Sequence, residues 1–245
     1  MATIKGEVNK EGIVLRVVKT KESDAMVTAL SEEGLFSFYA RGVSKLTSKN
    51  GPACQALCRS LFSLSQGKGG AYTLSESKLL KNYMPLESDL TKLSALSFLQ
   101  EVSAKLIQQD EGALDYPYLL KALDLMDSFD PLTLCCLYFA KLLIHGGIGL
   151  DVDECVLCQK KEGIVGISYE EGGFVCKDHV HEVEAKIVSP RKLKILRYLF
   201  RAPLESFDHI AFTKDECKEI LLDLGEYLNQ LTGANLKSLT ILAKI

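Results

Sequence analysis

The chain has 245 residues, of which 47% are hydrophobic and 25% are charged, and its formal net charge is −3. This composition is typical of a soluble globular protein with two or three compact units. No run of about eighteen apolar residues predicts a membrane span. The opening Met1-Ala2-Thr3-Ile4-Lys5 does not lead into the apolar run of a secretory signal, so we expect a cytoplasmic protein.

The small net charge hides an asymmetry along the chain. Residues 1–81 hold 12 Lys and Arg against 7 Asp and Glu, whereas residues 82–150 and 151–189 each hold 4 against 9. A basic N-terminal part joined to an acidic middle indicates a polyanion partner at one end and a different partner elsewhere. A basic face that is merely solvated is the alternative.

The N-terminal residues are rich in β-branched side chains with period-two alternation. Three strands are predicted as an antiparallel meander, at 12–19, 25–30 and 35–40, and two more apolar runs follow at 56–64 and 71–74. Five short strands with a longer loop after the third predict a small closed barrel of the OB type. A five-stranded sandwich is the alternative.

The loop after the third predicted strand is the first candidate functional segment. This basic loop, residues 41–51, reads Arg-Gly-Val-Ser-Lys-Leu-Thr-Ser-Lys-Asn-Gly, with three cations, no acid and two glycines that let a ligand approach the backbone. OB-type barrels bind single-stranded nucleic acid through a cationic groove that follows the phosphates. With cations of the first strand and the turn after it, the predicted nucleic-acid-binding set is Arg16, Lys19, Lys21, Arg41, Lys45 and Lys49.

Aromatic side chains near the basic loop are a second possible contact with bases. Phe36, Phe38, Tyr39 and Tyr72 lie close enough in sequence to contribute. Because successive side chains of a strand point to opposite faces, only some of them can face outward. We expect most of them in the barrel core.

Helical periodicity replaces strand alternation after residue 85. Apolar residues recur at helical spacing over 90–107, a second helix opens at 115–117 and continues to 126, and a third runs from Pro131 to 143. The third is apolar nearly all round, which predicts the buried helix of a bundle. His145 follows it and is expected as a charge partner of the helix C-terminus rather than as a ligand or catalyst.

Two closely spaced pairs of potential metal ligands come next. Cys155 and Cys158 form a Cys-x2-Cys pair, and Cys176 and His179 form a Cys-x2-His pair. Alternation over 163–175 predicts a hairpin that brings the two pairs face to face. The resulting Cys3His set is typical of one tetrahedral Zn2+ ion.

Four protein ligands leave no coordination position for water, so we predict a structural ion rather than a catalytic one. The hairpin turn is expected at Gly172-Gly173, and His181 is the alternative fourth ligand. The alternative to a metal site is four unrelated side chains, with the cysteines as small buried hydrophobes. Loss of the ion should unfold this region, because about thirty residues bury too little core alone.

Two further helices are predicted after the ligand pairs. Ser189-Pro190 begins one, and a capping box at 213–216 begins the last, which should end near residue 232. Gly225 lies inside the last helix and weakens that prediction, and the tail 236–245 is expected to pack back on the bundle. The complete prediction is an α+β fold with an N-terminal five-stranded OB-type β-barrel and an α-helical bundle domain with an inserted Cys3His zinc knuckle. Its expected segments are 1–81, 82–150, 151–187 and 188–245.

The sequence supplies little for catalysis. It has no phosphate-binding loop, no Gly-x-Ser-x-Gly, no Rossmann fingerprint and only four histidines. We therefore predict no catalytic residues, and a zinc hydrolase is the weakest of the functions considered. The cysteines outside the metal set are expected to be reduced core residues rather than disulfides: Cys54, Cys58, Cys135, Cys136 and Cys217.

The order of these parts resembles the RecO family of bacterial DNA repair proteins over essentially the entire chain. The resemblance is most specific at Ala40-Arg41-Gly42, at the helix end from Lys141 to Gly149 and at the two ligand pairs. It implies binding to single- and double-stranded DNA, annealing of complementary strands, and a place in the cytoplasm at the nucleoid. It also implies work with RecR and with the single-stranded-DNA-binding protein to load RecA, the acidic C-terminal tail of that binding protein entering a basic pocket on the bundle.

One departure from the family pattern concerns the basic loop. Many members are richer in arginine after Arg-Gly, whereas Val43-Ser44 precede Lys45 here. We therefore expect lower DNA affinity or a larger contribution from other surfaces.

Two functions are compatible with these observations. The first is a recombination mediator that neutralises DNA phosphates with the barrel cations and has no catalytic chemistry. The second is a zinc-stabilised protein-protein adaptor with little intrinsic DNA binding, in which the basic loop is incidental. DNA binding that persists without both protein partners favours the first.

Overall fold

The computed structural model describes residues 6–67, 69–84, 89–107, 112–203, 212–242 and 244–245 of the chain. They separate into two compact units, Met1–Asp89 with Ser103–Asp124 and Leu90–Val102 with Leu125–Ile245. A five-stranded sheet comes first and helices follow it, so the predicted α+β class is confirmed. The division into four segments stays a prediction.

The first unit is built on five strands: β1 (Glu7–Lys19), β2 (Ala25–Ser31), β3 (Gly34–Ala40), β4 (Cys58–Gln66) and β5 (Tyr72–Asn82). They close into a barrel in the order β1-β2-β3-β5-β4, because β1 pairs antiparallel with both β2 and β4. The seam between β3 and β5 is short, since these strands run parallel and pair only at Phe38–Tyr72 and Tyr39–Thr73. β1 and β5 extend beyond their apolar runs, because one face of a barrel strand is solvated and tolerates polar side chains.

Aromatic side chains fill the barrel interior. The ring centroid of Phe38 lies 4.8 Å from that of Phe62 and 6.0 Å from that of Phe36. Ring pairs at such distances stabilise a core by about 0.5–1.5 kcal/mol beyond their area burial. The expected core positions of Phe36 and Phe38 are confirmed, and Val43 of the basic loop is buried against the same cluster.

Two helices follow the barrel strands in the chain. α1 (Leu90–Leu106) contributes residues to both units, whereas α2 (Gly112–Leu125) belongs to the barrel unit up to residue 124. The Tyr116 hydroxyl donates to the Glu11 carboxylate at 2.9 Å, and Arg59 donates to the same carboxylate at 2.7 Å. Burial and the Glu11 carboxylate raise the pKa of Tyr116, so its hydroxyl stays a donor. Polar residues of β1 and β4 thus hold α2 to the barrel.

α3 (Pro131–His145) is the central helix of the second unit. Asp130 caps it, because the Asp130 carboxylate accepts from the Thr133 amide at 2.8 Å. Every residue from 132 to 143 is buried, so the predicted buried helix of a bundle is confirmed. Even so, among the residues that the structure describes, no helix is long and apolar enough to cross a bilayer.

α4 (Pro190–Arg201) and α5 (Lys214–Thr232) both pack against α3. The N-cap of α4 is Ser189, whose hydroxyl accepts from the backbone three residues later. α5 begins with the predicted capping box, in which Thr213 and Glu216 each accept from the other's backbone amide. The starts of both helices are therefore as the sequence predicts.

The C-terminal tail packs back on the bundle, as expected, through α6 (Lys237–Leu242). Leu239 of α6 is buried, and a Cβ added at Gly225 of α5 would lie 2.2 Å from its Cδ2 atom. The Glu101 carboxylate of α1 also accepts from the Ser238 amide at 2.7 Å. Gly225 weakens the helix locally, and in return it leaves room for the tail.

A small sheet of three strands carries the second ligand pair: β6 (Ile164–Ser168), β7 (Gly173–Cys176) and β8 (Lys186–Ile187), in the order β7-β6-β8. The first pair precedes β6, and the second begins at the end of β7. The predicted hairpin is therefore present, with its turn at 169–172 and with Gly173 as the first residue of β7. Gly173 also bridges to Asp151, and a Cβ there would lie 2.4 Å from the Asp151 carbonyl oxygen. Only glycine lets the chain before the first ligand pair approach β7 so closely.

Replacing Gly173 by alanine should destabilise the second unit, because the methyl group meets backbone atoms as close as 2.4 Å. Overpacking of this kind typically costs about 1–3 kcal/mol. Urea unfolding followed by circular dichroism measures the loss. Gly69→Ala is the matched control, because nothing lies within 4 Å of a methyl group at that position. Equal stability of the two variants would contradict the close approach.

Candidate metal centre and nucleic-acid interface

Four potential metal ligands of the second unit converge. Cys155, Cys158, Cys176 and His179 place their ligand atoms within 4.8 Å of one another. The Cys158 and Cys176 sulfurs are 3.8 Å apart, and the Cys176 sulfur lies 3.2 Å from Nδ1 of His179. Two thiolates held tetrahedrally at about 2.3 Å from one ion would be about 3.8 Å apart. The donor atoms therefore have the chemistry and the spacing of a tetrahedral metal site.

Backbone N–H groups of the two ligand turns face the sulfurs. Burial raises the pKa of the Cys155 thiol, but hydrogen bonds from the amides of Cys176, Cys158 and Leu157 outweigh it, and the net pKa is lowered. The hydrogen bond with His179 lowers the pKa of Cys176 to about 6. Since the thiolate is the form that ligates a metal, the fold favours the ligating form at both positions.

His179, rather than His181, completes the cluster. Its Nδ1 atom faces the Cys176 sulfur, a contact that raises the pKa of His179, and its Nε2 atom lies 4.0 Å from the Glu182 carboxylate. His181 is exposed and lies outside the cluster. A carboxylate beside the second ring nitrogen is the usual device that orients a metal-ligating histidine.

A partly buried ion network ties this ligand-bearing region to α4 and α5. Asp223 accepts from Lys192 at 2.6 Å, from Tyr169 at 3.1 Å and from Lys186 at 3.1 Å. Burial raises the pKa of Asp223, but the hydrogen bonds and positive charges of Lys192 and Lys186 together outweigh it, and the net pKa is lowered. Burial lowers the pKa of Lys192, yet its bonds to Asp223 and Glu219 raise the net value. Both groups therefore stay charged although they are nearly buried.

The predicted nucleic-acid-binding cations all lie exposed on the first unit: Arg16, Lys19, Lys21, Arg41, Lys45 and Lys49. In the described part of the chain, none of them forms an ion pair. Two other barrel cations are neutralised, since Lys10 pairs with Glu33 and Arg59 pairs with Glu11. The six predicted cations therefore contribute uncompensated positive charge to the barrel, and exposed Lys78 of β5 adds to it.

Asp24 holds the basic loop beside the turn between β1 and β2. Its Oδ1 atom accepts from the Gly42 amide at 2.7 Å, and its Oδ2 atom accepts from the Tyr39 hydroxyl at 2.6 Å. The Ser44 amide donates to the Ser23 carbonyl at 2.9 Å. The bonds from Tyr39 and Gly42 lower the pKa of Asp24, so it remains an acceptor. The cations of the turn and of the basic loop therefore share one end of the barrel.

Two of the six cations lie at the margins of this end. Arg16 stands on β1 opposite Thr28, on the outward face of the barrel. Lys49 precedes Asn50, whose side chain accepts from the Ser77 amide of β5 at 3.0 Å. The basic loop thus reaches from the β1–β2 turn across to β5, and its cations are spread over that distance.

Comparison with known proteins adds an independent observation. The family model for the recombination protein O N terminal matches residues 1–83, and that for the recombination protein O C terminal matches residues 87–240. The chain belongs to the RecO family. The DNA repair protein RecO of Halalkalibacterium halodurans is 25% identical over 240 residues, which cover 93% of this chain and 91% of that protein.

Two other RecO relatives match at similar distance. The DNA repair proteins RecO of Bacillus cereus (strain AH187) and Bacillus anthracis are each 27% identical over 242 residues, which cover 96% of both chains. Family membership and these names support a role in DNA repair and recombination.

Two carboxylates that position the RecO sites were not singled out from the sequence. Asp24 gives no sequence signal, because its partners come from a separate strand and loop. Asp223 does give one, since Ile220 and Tyr227 are buried and lie three and four residues away on the same helix face. A charged residue on a buried helix face predicts an ion pair.

Replacing Asp24 by alanine should free the basic loop, because Gly42 and Tyr39 both lose their acceptor. Hydrogen bonds to charged groups are stronger than those between neutral groups, so amide exchange at Gly42 should accelerate about tenfold or more. Hydrogen exchange followed by NMR measures this rate. Asp24→Asn keeps the size and one oxygen acceptor and should accelerate exchange less. Unchanged exchange in the alanine variant would mean that other contacts hold the loop.

Proposed function

We propose that the chain is a recombination mediator that binds single- and double-stranded DNA and anneals complementary strands without catalytic chemistry. With RecR it helps to load RecA onto DNA coated by the single-stranded-DNA-binding protein, whose acidic tail binds a basic pocket of the helical unit. The observation that carries the proposal is the group of exposed barrel cations that form no ion pair with any residue that the structure describes. Membership in the RecO family supports the same function.

We propose that the barrel is of the OB type. In support, β1 pairs with both β2 and β4, and β3 runs parallel to β5. OB barrels bind nucleic acid on the face of their second and third strands and on the adjoining loops. In this chain, cations of the proposed interface lie on the β1–β2 turn and on the basic loop that follows β3.

Charge neutralisation is the proposed mechanism of annealing. Two single strands repel each other through their phosphates, and side chains such as Arg41 and Lys45 replace condensed counterions at those phosphates. Because phosphate contacts carry no base information, the same surface serves any pair of complementary sequences. Base pairing itself then selects the partner strand.

The metal proposed for the Cys3His cluster is one structural Zn2+ ion, held by Cys155, Cys158, Cys176 and His179. All four tetrahedral positions would then be filled by protein atoms, and the coordinate bonds from these ligands to the ion would crosslink the chain. The two turns it joins lie on either side of a hairpin too small for its own core. In zinc-finger peptides, where metal binding drives folding, the ion contributes about 10–16 kcal/mol to the free energy of folding.

Replacing His179 by alanine should lower zinc affinity by more than about 100-fold, which exceeds the usual cost of losing an outer-shell partner. His181→Ala is the matched control and should retain one ion per chain, because His181 lies outside the cluster. Zinc content after dialysis against a graded chelator measures both variants. Equal zinc loss in the two would contradict the assignment of the fourth ligand.

Binding of the full chain to a single-stranded oligonucleotide should weaken steeply with salt. If all six cations contact phosphates, affinity should fall roughly 300-fold between about 50 and 200 mM salt. Replacing Arg41 and Lys45 together by alanine should reduce the logarithmic salt slope by about 1.4 for single strands. Lys161 and Lys194, exposed cations of the second unit, give the control double variant. Affinity that is independent of salt would contradict the proposed interface.

The same proteins can be tested for annealing of two complementary strands coated by the single-stranded-DNA-binding protein. The wild-type chain should accelerate annealing, and the Arg41/Lys45 variant should lose most of that acceleration at physiological salt. No acceleration, together with intact binding to the coating protein, would favour the zinc-stabilised adaptor instead.

A further inference from the structure

An open pocket lies beside the basic loop, and its lining combines apolar walls with hydrogen-bonding groups. Its volume is about 480 Å³, within the usual range of small-molecule pockets of about 300–1,000 Å³. Val17, Val43 and Pro52 supply apolar surface, Gln55 supplies a carboxamide, and Lys45 and Leu46 stand on its rim. The pocket lies within the barrel unit.

Leu46 is the most exposed of the large hydrophobic side chains in the described part of the chain. Its side chain is fully exposed, at 106% of the reference area, although leucine is among the side chains most often buried. It lies in the basic loop between the cations Lys45 and Lys49. An apolar side chain held out into solvent among phosphate-binding cations has the chemistry of a wedge that enters between bases.

The walls of the pocket are preformed. Successive turn hydrogen bonds run through the basic loop, from the Lys45 amide to the Gly42 carbonyl at 3.2 Å and from the Ser48 amide to the Lys45 carbonyl at 2.9 Å. A Cβ added at Gly51 would lie 3.0 Å from the Val43 carbonyl oxygen, so the loop folds closely on itself. A ligand therefore needs little reorganisation of the pocket, which favours binding.

The polar lining suits the edge of a nucleobase. Gln55 is exposed, and its carboxamide makes no hydrogen bond within the described residues. A carboxamide offers two donors and one acceptor oxygen, which can pair with the donor and acceptor groups of any base. The cations around the pocket match the phosphates that flank such a base.

We propose that this pocket takes one unstacked nucleobase of single-stranded DNA, with Leu46 as the wedge that separates it from its neighbour. The inference rests on the proposed function, because the barrel cations must hold the phosphates for the base to reach the pocket. Bases held apart in this way lose their stacking within a strand and present their edges to an incoming complementary strand.

The test uses the full chain and a single-stranded oligonucleotide that carries 2-aminopurine, whose emission rises when it is unstacked. Wild-type protein should raise the emission, and it should bind this strand about five- to tenfold more tightly than an abasic strand of equal length. Leu46→Ala should lose the rise in emission and bring the affinity ratio close to one. Leu222→Ala, at an exposed leucine of α5, should behave like the wild type.

Leu46→Lys separates the base contact from the phosphate contact. The added cation should steepen the salt dependence of binding while the rise in 2-aminopurine emission is still lost. Salt-sensitive binding by the wild type without any rise in emission would overturn the base pocket and leave the proposed function standing. A full rise in emission with Leu46→Ala would overturn the wedge, and absence of DNA binding by the wild type would overturn both proposals.

Discussion

The sharing of β1 between two neighbouring strands is the constraint on which the barrel unit depends. Residues 7–13 of β1 pair with β4, and residues 13–19 pair with β2. A bulge lies between Val14 and Arg16, where the strand passes from one neighbour to the other. Beyond that point β1 no longer pairs with β4. The residue just before β4, Leu57, donates its backbone amide to the Val14 carbonyl at 2.8 Å. The pocket beside Val17 and the basic loop lie next to this part of β1.

In the second unit, a sheet of three short strands buries little apolar area, so other contacts help to hold it in place. Three contacts hold that sheet to its surroundings: the close approach of Gly173 to Asp151, the Cys3His cluster, and the bonds that converge on Asp223. Removing a partner from a buried ion pair is costly, because the remaining charge has lost its solvation. The Asp223 charge is compensated by three donors, which come from the hairpin turn, β8 and α4. Polar contacts thus supplement the small apolar cluster around Val175 and Val180.

Local patterns in the sequence predicted the features that depend on neighbouring residues. The ligand pairs follow from spacing within each turn, and the capping box at Thr213 and Glu216 follows from a pattern of four residues. The features that were missed depend on pairs far apart in the chain. The bond from Tyr116 to Glu11, which places α2 beside the barrel, joins residues 105 positions apart, and the one from Gly42 to Asp24 joins residues 18 apart. No periodicity in one sequence encodes such partners.

The short seam between β3 and β5 has a consequence for motion. This seam has two residue pairs, whereas β4 and β5 pair at nine positions, so the barrel resists opening least along this line. Structures open locally first where the fewest hydrogen bonds must break. β3 ends at Ala40, directly before the basic loop, so breathing of the barrel and movement of that loop involve the same residues. A strand of DNA bound across this end would stabilise the seam against opening, so release of the DNA would be coupled to opening of the barrel.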